Sequence, residues 1–197
     1  MSEKSFFGMS GHFAVLSLFL RRGYNVAVPV VDVGDDAIVI DDGAHELCRL
    51  QVKSGNASRP ANDRISVAFT VSRKQLRDAL GAPLFYIFMA WAWDRWSFVL
   101  IPRKALYIRK ERALGRLKSD TDARRDELNL TVTFSRGASG DEDAFLWGES
   151  LKQYLNRWSS DWPELQPDRR GQGPRRSEHP RTPTEDPADG GDPATSP

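Results

Sequence analysis

Apolar and polar residues change their period along this chain, and each change marks an element. A short polar lead carries Phe6, Phe7 and Met9. Val15, Leu18, Phe19 and Arg22 then recur at helical spacing, and Phe13, Leu16 and Leu20 widen the apolar face. Ser10 fits an N-cap and Gly23 fits the C′ position, so the spacing predicts a helix over about residues 11–22. From Tyr24 to Gly55 the pattern turns to strands. Asp35 and Asp36 open an apolar strand that closes at Asp41-Asp42-Gly43, a hairpin signal, and Leu47 to Lys53 forms the return strand. After a polar loop over 56–63, Ile65, Val67, Phe69 and Val71 alternate as a strand with one buried face. Ser72 to Gln75 is a capping-box signature for a short helix with Leu76, Ala79 and Leu80, ended by Gly81. Leu84 to Trp93 is almost wholly apolar and predicts a central strand. Asp94-Arg95 turns it into a return strand over Trp96 to Ile101, and Pro102 suits the first position of a helix reaching about Leu114. Residues 115–126 read as a charged loop, Leu128 to Phe134 as a strand, Gly137 to Asp143 as a loop, and Glu149 to Trp158 as a terminal helix.

The order of helix, three strands, strand, helix, two strands and helix predicts an α/β sandwich, a mixed central β-sheet flanked by α-helices. A chain of 197 residues fits one domain, and 40% apolar residues with six tryptophans can fill its core. That domain is expected over 1–165. Residues 166–197 differ in kind: they hold seven of the twelve prolines, no aromatic residue, and only Ala188 and Ala194 as apolar side chains. Such a segment buries too little surface to fold, so a disordered tail is expected. The net charge of +1 says nothing about nucleic acid. A single cysteine, Cys48, cannot form an internal disulfide, which points to a reducing compartment. The apolar runs are too short to cross a bilayer and the N-terminus lacks a signal-peptide pattern, so a cytoplasmic protein without a membrane partner is expected.

The candidate chemistry lies in the ribbon after Tyr24. Gln51 and Lys53 are two residues apart and share one face of a strand. If that strand pairs with the one before it, Asp36 lies near both. A carboxylate, an amide oxygen and an ammonium then meet at one sheet edge. Asp35 competes with Asp36 for this place, with Asp36 preferred because it would share a face with Ile38 and Ile40; Asp32 is a third choice.

This arrangement resembles the PD-(D/E)XK nuclease superfamily, in the branch with Gln-x-Lys in place of Glu-x-Lys, which includes certain homing endonucleases. Asp36, then Gln51-Val52-Lys53, match the motif, and the resemblance covers roughly residues 8–110. It implies a restriction-endonuclease-like sandwich and metal-dependent hydrolysis of DNA. Mg²⁺ or Mn²⁺ would be held by Asp36, the Gln51 side-chain oxygen and the Val52 carbonyl, while Lys53 would orient water or stabilise the reacting phosphorus. Many members carry a Glu on the first helix, near the position of His12. Here Gly11-His12-Phe13 has no acid, and His12 is a candidate water-positioning base or ligand. The alternative is a catalytically lapsed nuclease-like fold that binds nucleic acid or a protein. An α/β domain unrelated to nucleases is the third reading.

Local charge supports nucleic acid as a partner. Arg59, Arg73 and Lys74 cluster near the motif, and Arg103 and Lys104 open a helix rich in Lys and Arg. Trp91 and Trp93 read as core residues of an apolar strand. A homodimer is a further expectation.

Overall fold

The computed structural model describes residues 3–30, 34–43, 45–56, 63–77, 81–116 and 126–156. The chain divides into two units, Met1–Pro167 and Asp168–Pro197, and all described residues lie in the first. The expectations for Asp32, Arg59 and the 166–197 tail fall outside the described residues.

Helix α1 spans Glu3–Leu20 and starts well before the expected cap. Ser10 lies inside it, where its hydroxyl donates to the Phe7 carbonyl at 2.7 Å. The early turns form because Phe7 has something to bury against: its ring meets Trp96 at 5.2 Å between centroids. Gly23 ends the helix as expected, with φ of +84.

The strands follow in order: β1 (Asn25–Ala27), β2 (Ala37–Asp41), β3 (Glu46–Asn56) and β4 (Arg64–Ser72). Helix α2 (Arg73–Arg77) leads to β5 (Leu84–Ala92), β6 (Arg95–Pro102) and helix α3 (Arg103–Arg116). Strands β7 (Glu127–Arg136), β8 (Glu142–Leu146) and β9 (Glu149–Ser150) close the described chain with a 3₁₀ turn at Lys152–Tyr154.

The fold class is α/β with a mixed sheet. Its strand order is β1-β2-β3-β5-β6, in which β3 and β5 are parallel and the other pairs antiparallel. A second sheet, β4-β7-β8-β9, is antiparallel throughout. Two cores result. Val15 and Phe19 of α1 pack on Leu50, Val52, Phe85, Ile87 and Leu100, from one face of the mixed sheet. Tyr86, Phe88, Val99 and Ile101 of the other face pack with Val67, Phe69, Val132 and Phe134 of the second sheet, and Leu76 of α2 and Leu106 of α3 join them. One flank of the central sheet is thus helical and the other is mainly a sheet. β5 is buried on both faces from Leu84 to Ala90, which is why it reads as an unbroken apolar run.

Two elements differ from expectation. Glu149 to Trp158 is not a helix in its described part. Trp147 and Gly148, with φ of 52 and 80, make a two-residue turn that returns β8 onto β9. Leu151, Tyr154 and Leu155 stand at helical spacing but bury themselves along the sheets, and Asn156 bonds to Phe98 through both its N–H and its side chain. The β5–β6 turn is Trp93-Asp94, one residue earlier than expected, with φ of 50 and 58.

Candidate active site

β2 and β3 pair with Ala37 opposite Leu50, and the Asp36 N–H extends the ladder by donating to the Leu50 carbonyl at 2.8 Å. There the main chain of β2 departs and the Asp36 side chain continues the pairing. Its Oδ2 accepts from the Val52 N–H at 2.6 Å and from the Gln51 amide at 2.5 Å. On an extended strand a residue's N–H and C=O point to the same edge. The Val52 carbonyl therefore turns toward the edge that Asp36 occupies. Nε2 of His12 lies 3.7 Å from Asp36 Oδ1.

His12 arrives there because α1 sits unusually close to β3. A Cβ on Gly11 would stand 2.5 Å from Ser54 Cβ, so only glycine permits this approach. The Ser54 hydroxyl also donates to the Gly8 carbonyl at 3.3 Å. Helix, loop and strand thus contribute His12, Asp36 and Gln51-Val52 to one place.

Lys53 shares the Gln51 face by strand alternation and is half-buried. Its ammonium has no hydrogen-bond or ion-pair partner among the described residues. Asp35 is placed differently. Its carboxylate is almost buried, 3.5 Å from Arg49 Nη1, and Oδ1 has no hydrogen-bond partner among the described residues. Of the two neighbouring acids, it is Asp36 that holds Gln51.

The loop that carries both acids is fixed by a residue outside the motif. Gln75 of α2 donates its amide to the Gly34 carbonyl at 2.6 Å and accepts from the Tyr86 hydroxyl at 3.2 Å. Gly34 has φ of +87, a conformation that suits glycine. In sequence Gln75 reads as half of a capping box. Only the Ser72 half forms, its hydroxyl accepting the Gln75 N–H at 3.0 Å. Nothing local marks Gln75 as support for a distant loop.

The donor set is one carboxylate, one amide, one main-chain carbonyl and one imidazole. The three oxygens suit a hard divalent cation. Gln51 presents Nε2 to Asp36, so its oxygen would face a shared ion only after the amide turns over. No group of three or more His, Cys, Asp or Glu converges among the described residues, which leaves Asp36 the sole anion of the set.

The basic residues divide into two groups. Arg103 Nη1 donates to the Leu76 and Arg77 carbonyls at 2.7 and 3.2 Å and so caps α2. Arg73 Nε donates to the Glu127 carbonyl at 3.1 Å. Arg109 and Arg112 reach Glu149 at 3.6 and 3.9 Å, and Lys110 bonds Glu111 at 2.8 Å. The four arginines tie elements together, whereas the Lys110 pair lies within α3. Lys74 and Lys104 are exposed. Arg49, Arg103 and Lys104 line a cavity of about 280 Å³ with Gly81 to Phe85 and Pro102.

Trp93 packs against the core as expected, but Trp91 is 41% exposed and meets Trp96 edge-on at 5.3 Å. It lies at the last position of the β3–β5 pairing, opposite Asn56.

No protein-family model matches the chain, and no curated protein is significantly similar to it. Among solved structures, one similar chain is that of a bacterial homing endonuclease, I-Ssp6803I. It is 19% identical, with 54% of this chain and 74% of that chain covered and a TM-score of 0.40. No helix among the described residues is long and apolar enough to cross a membrane.

Proposed function

We propose that the domain is a metal-dependent DNA endonuclease of the PD-(D/E)XK type, with Asp36, Gln51, Val52, Lys53 and His12 as its site. The observation that carries this reading is the contact of Asp36 Oδ2 with Gln51 and Val52, beside His12, from three separate elements. Asp36, the Gln51 oxygen and the Val52 carbonyl would hold Mg²⁺ or Mn²⁺. When bound, such an ion supplies positive charge to the phosphoryl oxygens and an acidified water. The chain's own groups do the rest. Lys53 offers an unpaired ammonium to charge developing on the non-bridging oxygens. His12, with Nε2 3.7 Å from Asp36 Oδ1, is placed to take a proton from the attacking water. Lys74 and Lys104 are exposed and available to backbone phosphates.

A second reading has a specific observation in its favour. Asp36 Oδ2 is already satisfied by two N–H donors, and the site has a single carboxylate. A nuclease-like fold that has lapsed and only binds nucleic acid or a protein would look the same. Incubation with plasmid, linear, single-stranded and branched DNA, with Mg²⁺, Mn²⁺ or EDTA, separates the two. Cation-dependent cleavage lost in Asp36→Asn supports the nuclease. DNA binding without cleavage under any condition supports the lapsed fold.

A further inference from the structure

Gln75 serves two partners at once. Its Nε2 donates to the Gly34 carbonyl at 2.6 Å, and its Oε1 accepts from the Tyr86 hydroxyl at 3.2 Å. A carboxylate in this place could not donate and an ammonium could not accept, whereas an amide does both. Tyr86 is fully buried, so its hydroxyl needs that acceptor. Burial also pushes the phenol pKa up, so the group stays protonated and donates. Both residues connect to the site through the sheet. Tyr86 stands opposite Gln51 in the β3–β5 register, and Gln51 donates to Asp36 Oδ2. Asp36 is two residues from Gly34. A ring therefore closes from Gly34 through Gln75, Tyr86, Gln51 and Asp36, and back along the chain to Gly34.

We propose that Gln75 is a positioning residue for Asp36. β2 begins only at Ala37, and upstream of Asp36 the chain leaves β3 for α2. Gln75 holds it there, and so sets the direction from which it enters Asp36 and keeps the carboxylate on Gln51 and Val52. Gly34 follows this course with φ of +87, and a Cβ on it would stand 3.3 Å from Gln75 Nε2. Asp35 is the weaker tether, since its carboxylate is 3.5 Å from Arg49 Nη1 and Oδ1 has no partner among the described residues. A capping box would turn the Gln75 amide onto the Ser72 N–H; here it reaches a carbonyl 41 residues back in the chain. Supporting bonds of this kind keep a site residue within about 0.5 Å of its working place. What Asp36 does chemically rests on the nuclease reading above; where it is held does not.

The Val52 N–H reports the place of the carboxylate, because it donates to Asp36 Oδ2 at 2.6 Å. Its proton shift and hydrogen exchange, read by NMR on the full chain, test the proposal. Asp36→Ala defines the signal with the bond gone. Gln75→Glu keeps the size and the acceptor for Tyr86, but once ionised it cannot donate to Gly34. In that variant the Val52 amide should move toward its Asp36→Ala position and exchange about tenfold faster, the loss of about one net hydrogen bond. Amides of β7 should keep their wild-type rates. Tyr86→Phe removes only the hydroxyl; it should give a smaller change in the same direction, and it stands in if Gln75→Glu fails to fold. A Gln75 that merely stabilised α2 would lower the melting temperature on substitution and leave Val52 unmoved, and that result overturns the proposal. If Val52 moves as expected while the wild type cleaves no DNA with Mg²⁺ or Mn²⁺, Gln75 keeps this role and the nuclease reading alone fails.

Discussion

At the scale of single residues, Gln51 is the neutral side chain of the proposed site, and its setting says what it does. It is nearly buried and donates to Asp36, so it both supports the carboxylate and dilutes the charge of the site. Gln51→Glu should tighten Mn²⁺ binding in the free protein, because a second anion beside Asp36 attracts the ion strongly even at an effective dielectric of about 20. Gln51→Leu should weaken it by removing a ligand at similar volume. Calorimetric titration with Mn²⁺ reads both; equal affinity across the three proteins takes Gln51 out of the ligand set. The Lys53 ammonium has no hydrogen-bond or ion-pair partner among the described residues. Lys53→Ala should therefore slow cleavage by about 100-fold or more and leave the melting temperature unchanged. A variant that cuts at the wild-type rate removes Lys53 from the mechanism.

At the scale of elements, the distance between α1 and β3 decides whether His12 reaches Asp36. Helix propensity alone favours Gly11→Ala by about 0.5–1 kcal/mol. The contact says otherwise: the new methyl would lie 2.5 Å from Ser54 Cβ, which sits on a strand and cannot swing aside. Overpacking of this kind costs about 1–3 kcal/mol, so the net effect should be destabilising. Denaturant unfolding measures it, and a more stable variant would show that α1 shifts freely. α2 depends on Asp126, which accepts from the Ser72 hydroxyl at 2.7 Å and the Lys74 N–H at 2.8 Å. These bonds, the Ser72 one first, hold the Asp126 carboxyl below its ordinary value of 3.8. A lowered folded pKa stabilises the protein fully above the unfolded value, and the gain disappears as pH falls through the folded one. Asp126→Ala should accordingly lower the melting temperature at neutral pH. As pH falls below the ordinary value of 3.8 its difference from wild type should begin to narrow, and it should close below the lowered folded value. A gap that persists in acid would assign the effect to packing.

For the whole molecule, the question is what lies beyond the two cores. The composition of 166–197 leaves little to bury, so a chain ending at Gln166 should melt within a few degrees of the full protein. A collapse of the midpoint would mean that the domain needs the tail.

Much of the fold could be read from period alone. α1, β2, β3, β4, β5 and β7 follow from apolar spacing, because burial of one helix stripe or one strand face leaves its mark on every turn or every second residue. The nearness of Asp36 to Gln51 was legible for the same reason, because a short hairpin pairs their strands, and alternation puts Lys53 on the Gln51 face. The C-terminal end was not. Leu151, Tyr154 and Leu155 keep a helical spacing, yet the turn at Trp147-Gly148 and the ties from Asn156 to Phe98 direct them along the sheets. Local spacing cannot register a partner far away in the chain. The same limit hid the second sheet as a layer, the support of Gly34 by Gln75, and the approach of Gly11 to Ser54. It also hid the division of cations into those that join elements and those left to solvent, because a guanidinium on a carbonyl and one in water have the same sequence. Which residues can form an element is written in their order; which of them meet is decided by packing between elements, where contacts join residues that no local pattern relates.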